Sequence, residues 1–139
     1  MTEQEIKDIC EEYGIKNYSI NPDGSIDVDG SVYLSYNKLR ELPLKFNIVH
    51  GHFNCDGNQL TTLEGCPKEV SGSFSCYGNQ LTTLVGCPEK VGGSYNCYIN
   101  KLTSLDGYNG DYEKLYCDNK DGLILKEKRK QKLKLIENL

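Results

Sequence analysis

The sequence predicts an α+β fold: a short solenoid of stacked coils, closed by a helix at each end. Three observations carry this reading. An apolar and asparagine pattern returns every 21 residues, a capped helical segment precedes it, and a basic, leucine-bearing segment follows it. A chain of 139 residues makes one small domain and is too short for two. Frequent Gly and Tyr suit a regular, turn-rich architecture. The expected division is 1–29 for an N-terminal helix and hairpin cap, 30–119 for the array, and 120–139 for a C-terminal capping helix.

At the N-terminus, Thr2-Glu3-Gln4-Glu5 forms a capping box: Thr2 serves the first amides and Glu5 reaches back. Ile6, Ile9, Cys10 and Tyr13 then line one helical face. Tyr18-Ser19-Ile20 and Ser25-Ile26-Asp27-Val28, joined by the turn formers Asn21-Pro22-Asp23-Gly24, predict a hairpin that leads into the first coil.

The array is read from its columns. Val32, Phe53, Phe74 and Tyr95 share one position, and Leu34, Cys55, Cys76 and Cys97 the next but one. Asn37, Asn58, Asn79 and Asn100 follow, then Leu39, Leu60, Leu81 and Leu102, then Leu42, Leu63, Leu84 and Leu105. Val28, Val49, Val70 and Val91 precede each unit by four residues. The alternation Phe74-Ser75-Cys76-Tyr77 predicts a short parallel strand with Phe74 and Cys76 inward and Ser75 and Tyr77 outward. The asparagine after each strand can satisfy backbone groups of the turn in its own and the neighbouring coil. The leucines close the core from the far side, and Gly-Cys-Pro makes the outer corner.

The segments FNCDGNQL, FSCYGNQL and YNCYINKL resemble the core of the leucine-rich repeat family, L-x-x-L-x-L-x-x-N-x-L, over roughly residues 28–119. The short period, INPDGSIDVDG and the GCPKEV and NQLTTL units are similar to small bacterial and bacteriophage-encoded members. The resemblance implies a parallel sheet on the concave face of the solenoid and, for a phage protein, binding and inhibition of a host or defence protein in the host bacterial cytoplasm. In one departure, the first leucine of the core is replaced by a valine one step upstream, as in Val70-Ser71-Gly72-Ser73-Phe74. Each coil then carries an extra residue, taken up at Gly51, Gly72 or Gly92-Gly93, and the last unit, Tyr112 to Cys117, lacks it.

After the array, Leu125, Leu133, Leu135 and Ile136 are expected to cover the last coil. Charge divides at this boundary. Residues 1–122 carry about −8, and the remainder, rich in Lys and Arg, about +4. An acidic body argues against nucleic acid as the solenoid's partner. KEKRKQKLK leaves a nucleic-acid contact through the helix as an alternative, although such a run is ordinarily a solvated face. MTEQEIKDICEEYG is unlike a secretion signal, and no stretch approaches the ~20 apolar residues of a membrane span, so the expected location is cytoplasmic.

Seven cysteines in a reducing compartment are expected to stay free. Cys55, Cys76, Cys97 and Cys117 would stack as a row, which is not the convergent arrangement zinc needs. Inward Cys55 points away from His50 and His52, so no Cys/His nucleophile is expected. Asp27-Val28-Asp29-Gly30 and Asp118-Asn119-Lys120-Asp121-Gly122 read as turns rather than calcium loops. The expectation is a chain with no catalytic residue, metal or cofactor.

The outward columns hold Tyr33, Asn54, Ser75, Asn96 and Tyr116, then Ser35, Asp56, Tyr77, Tyr98 and Asp118, then Tyr36, Gly57, Gly78 and Ile99. Exposed tyrosines among small polar residues compose a recognition surface. The expected function is to bind one protein partner through Tyr33, Tyr36, Tyr77, Tyr98 and Tyr116, with His52, Asp56 and Asn96 supplying polar specificity. Self-association as a structural protein is a further alternative.

Overall fold

A computed structural model describes all of residues 1–139. Helix α1 (Glu3–Glu12) starts at the expected capping box: the Glu5 amide donates to Thr2 Oγ1 (3.1 Å) and the Thr2 amide to Glu5 Oε1 (3.2 Å). Ile6 and Cys10 are buried, with Ile9 and Tyr13 packed beside them. The hairpin follows, with β1 (Tyr18–Ile20) antiparallel to β2 (Ile26–Val28). Its turn is fixed by Asp23, whose Oδ1 accepts from the Ser25 amide (2.9 Å) and hydroxyl (2.6 Å). Asp27 lies in β2, as the hairpin reading of Ser25-Ile26-Asp27-Val28 expects, and not in a turn with Asp29 and Gly30.

The coils contribute two sheets rather than one. Strands β3 (Val32–Tyr33), β5 (Phe53–Asn54), β7 (Phe74–Ser75), β9 (Tyr95–Asn96) and β10 (Leu115–Tyr116) pair in parallel as an aromatic sheet. The valine column forms a second parallel set, β2, β4 (Phe46–Val49), β6 (Glu69–Val70) and β8 (Lys90–Val91), with β1 on its outer edge. The displaced valine is therefore a strand of its own. The glycines after it form the corner between sheets, where neighbouring coils almost touch: a Cβ on Gly51 would lie 2.7 Å from the Ser31 backbone nitrogen, and one on Gly72 would lie 2.9 Å from the Gly51 carbonyl.

The register follows the period. Phe53 pairs with Phe74 and Phe74 with Tyr95, 21 residues apart, whereas Tyr95 pairs with Leu115 after only 20. The inward rings run through the core: Phe53 and Phe74 are stacked at 5.9 Å, Phe74 meets Tyr95 at 5.3 Å, and Tyr108 sits edge-on to Tyr95 at 5.0 Å. Three of the four asparagines bridge coils as expected, and Asn37, in the first coil, donates Nδ2 to the Ser35 carbonyl of its own coil (3.2 Å). Asn79 Nδ2 donates to the Cys55 and Cys76 carbonyls (both 3.0 Å), and its Oδ1 accepts from the Leu60 amide (3.0 Å). Asn58 and Asn100 repeat the pattern, and no buried side-chain nitrogen or oxygen lacks a partner.

One continuous apolar core runs from Ile6 to Leu123. Helix α2 (Lys120–Glu137) corrects the expectation for the far end. Only Leu123 is buried, with Ile124 half-buried beside it, while Leu125, Leu133, Leu135 and Ile136 are 49%, 60%, 70% and 55% exposed. The cause is the stripe that faces the solenoid. Lys126 Nζ donates to the Thr103 carbonyl (2.6 Å) and Lys130 Nζ meets Asp106 Oδ1 at 2.5 Å. With 123, 126 and 130 toward the last coil, the helical period turns Leu125, Leu135 and Ile136 elsewhere, while Leu133, on the same stripe, lies beyond the last contact at Lys130.

Candidate functional site

The outward face of the aromatic sheet gathers most of the residues predicted to bind. Tyr33, Tyr36, Tyr77, Tyr98 and Tyr116 are all exposed along it, joined by Ile99. Strand alternation directs them: Phe74 and Cys76 are fully buried while Tyr77 emerges beyond. Lys120 Nζ lies 5.7 Å from the Tyr116 ring centre, a cation–π contact at one end of the face.

The polar residues do more than present themselves. Asp56 Oδ1 accepts from the Ser75 hydroxyl (2.5 Å) and the Tyr77 amide (2.9 Å), bridging to the next coil. Asn96 Oδ1 accepts from the Tyr98 amide (3.2 Å), and His52 Nδ1 from the Ser73 amide (2.9 Å). Asn54 Oδ1 accepts from the Ser35 hydroxyl (2.7 Å), and Asp118 Oδ2 from the Ile99 amide (2.7 Å). Apart from the Asn96 bond, which stays within one coil, these bonds are rungs between neighbouring coils. In the sequence they are visible only as polar residues in outward columns.

The third outward column carries an unanticipated feature. Tyr36, Gly57, Gly78, Ile99 and Asn119 all turn the chain with left-handed backbone, at φ +56°, +63°, +70°, +57° and +53°. Gly takes this conformation freely and Asn tolerates it, but a tyrosine or a β-branched isoleucine pays roughly 1–2 kcal/mol. Tyr36 is 75% exposed and Ile99 56%, so burial returns little of that cost. Tyr36 does lay its ring over Gly57, where a Cβ would overlap it. The glycines of the two middle coils were the available signal, since they mark a column that demands positive φ.

The interior offers no comparable chemistry. All seven cysteines are free and buried. The Cys76 and Cys97 sulfurs lie 3.4 Å apart, and this thiol contact, with burial, pushes the Cys76 pKa up. Burial raises Cys55 and Cys66 likewise, and lifts Cys87 and Cys117 to about 11. A thiol held protonated is a poor nucleophile. No three His, Cys, Asp or Glu side chains converge as a metal site, and no helix is long and apolar enough to cross a membrane.

Comparison with known proteins places the chain in no group: no family model, no curated protein and no solved structure matches it. The class that the fold defines is a short two-sheet solenoid with a period of 21 residues, capped by a helix at the N-terminal end and followed by one at the other.

Proposed function

We propose that this chain is a non-catalytic binding module of the leucine-rich repeat type that docks one protein partner on the outward face of its aromatic sheet. The observation that supports it is the pair Tyr36 and Ile99, apolar side chains exposed at left-handed positions where glycine costs less. A fold maintained for stability alone gains only the contact of the Tyr36 ring over Gly57, whereas a partner that covers both residues offsets the strain. The polar rungs stiffen the surface in advance, so a partner pays less ordering entropy on contact. Tyr77 and Tyr98, aligned on adjacent coils, are the central anchors and Asp56, Asn96 and His52 frame them. If the chain is phage-encoded, occlusion of a host or defence protein in the bacterial cytoplasm is the mode of action.

The test uses two double variants in affinity capture from the native host. Tyr77→Ala/Tyr98→Ala should lose the captured protein. Tyr36→Gly/Ile99→Gly should also lose it, while the chain becomes more stable by up to about 1 kcal/mol per site as the left-handed strain is relieved. Unchanged capture by both variants would sink the face as the binding site. A stability loss in the glycine variant would remove the strain argument.

A further inference from the structure

The two ends of the solenoid carry opposite charge. Helix α1 has five carboxylates against one lysine, net −4, and α2 has seven Lys and Arg against three carboxylates, net +4. Beyond its contact at Lys130, α2 continues for several residues, about 1.5 Å each, with Leu133 and Ile136 exposed three residues apart on one face and Lys132 and Lys134 beside Leu133 in the chain. An apolar surface flanked by cations on a rigid helix is suited to a groove with an apolar floor and an acidic rim.

The surface at the other end is mixed, with a few apolar side chains, largely buried, among polar and acidic ones. Two hollows, of about 450 Å³ and about 340 Å³, meet at the exposed Met1. Ile6, Ile20 and Pro22 line the first, with Glu3 on its rim. Leu42, Pro43 and Leu44 line the second, with Glu41 and Glu64. Asp23 and Lys45, which also border the hollows, neutralise each other at 3.2 Å. Glu3 is likewise paired with Lys7 at 3.8 Å, which leaves Glu41 and Glu64 of the second hollow as the carboxylates without an ion-pair partner.

The groove lies beside the β1–β2 hairpin, at the first edge of the valine sheet, whereas α2 follows β10 at the last edge of the aromatic sheet. Two coils, roughly 10 Å along the stack, separate the Asp106 contact of α2 from Glu64 of the second hollow, and the Lys126 and Lys130 contacts hold α2 on the last coil rather than in its own groove. We infer that the distal part of α2 docks into the groove beside Met1 of a second copy, and that the chain assembles head to tail. A contact between unlike ends is heterologous and extends as an open chain unless the rotation closes a ring. Each copy in that chain keeps its tyrosine face uncovered.

Sedimentation of the full chain as a function of concentration tests this. The wild type should start at the monomer mass of 15.7 kDa and rise past the dimer, with association weakening about tenfold between about 50 and about 500 mM salt. Leu133→Glu/Ile136→Glu, on an exposed face that does not threaten folding, should weaken association about 100-fold, tenfold for each lost anchor. Glu41→Lys/Glu64→Lys, at the opposite end, should do the same. Mixing the two variants should restore a single contact and stop at a dimer, because each retains one working end. A wild type that stays monomeric at all concentrations overturns the inference, as does self-association that survives both variants. A monomer whose α2 lysines bind a DNA duplex also overturns it, in favour of a nucleic-acid partner.

Discussion

Helix α1 drives Ile6 and Cys10 into the core, whereas α2, nearly twice as long, buries Leu123 and leaves its later leucines in solvent. The apolar residues of α1 fall three and four apart, so one face carries them all and the helix seals the first coil. Those of α2 are spread around the helix, and its contact stripe beyond Leu123 is made by lysines that reach a carbonyl and a carboxylate. A helix held by a buried apolar stripe belongs to the folding unit. One held at its first turns by exposed polar contacts extends from it, and that extension is available to something else.

Replacing a residue on each helix tests this difference most directly. Ile6→Ala should cost about 2–4 kcal/mol in urea unfolding, because it opens a cavity at a site only 2% exposed. Leu133→Ala, measured at low protein concentration, should stay within about 0.5 kcal/mol of wild type. Comparable losses at the two sites would mean that α2 packs as a cap after all. The N-terminal end should also depend on its capping box. Thr2→Ala removes the acceptor for the Glu5 amide and should cost about 1 kcal/mol, read from the same unfolding curves, with Thr2→Ser close to wild type.

The same contrast explains which features were legible in the sequence. Phe53, Phe74 and Tyr95 repeat in register because each coil must place one large ring above the last, and a constant period is the only way to stack them. The asparagines repeat for an equally strict reason, since Asn58, Asn79 and Asn100 each satisfy carbonyls in two coils. The second sheet was hidden because a single inward column, Val28, Val49, Val70 and Val91, marks it, whereas two, such as Phe74 and Cys76, mark each aromatic strand. The orientation of α2 was hidden because it is set by Lys126 and Lys130, whose partners lie more than twenty residues away. At the candidate face, strand alternation identified the outward tyrosines, but not the left-handed backbone at Tyr36 and Ile99 or the rungs from Asp56 and His52. A column of residue types records which side faces out and says little about which side chain bonds to which.

The smallest predicted effect lies at the contact that holds α2. The Lys130 hydrogen bond, followed by its charge, holds the Asp106 carboxyl below the ordinary value near 3.8, and the same bond raises Lys130. A carboxyl depressed by folding contributes stability that is fully present above its unfolded pKa and is lost as pH falls through the folded value. The anchoring of α2 should therefore hold at neutral pH and weaken only below pH 3.8. Both groups are exposed, so water and salt screen the pair and the stability change should be smaller than that of either α1 variant. An NMR titration of the Asp106 side chain measures it: in Lys130→Ala the midpoint should move up toward 3.8, and added salt should move the wild-type midpoint the same way. An Asp106 midpoint that is identical with and without Lys130 would mean the lysine does not anchor the helix, leaving α2 attached through Leu123, Ile124 and Lys126 alone.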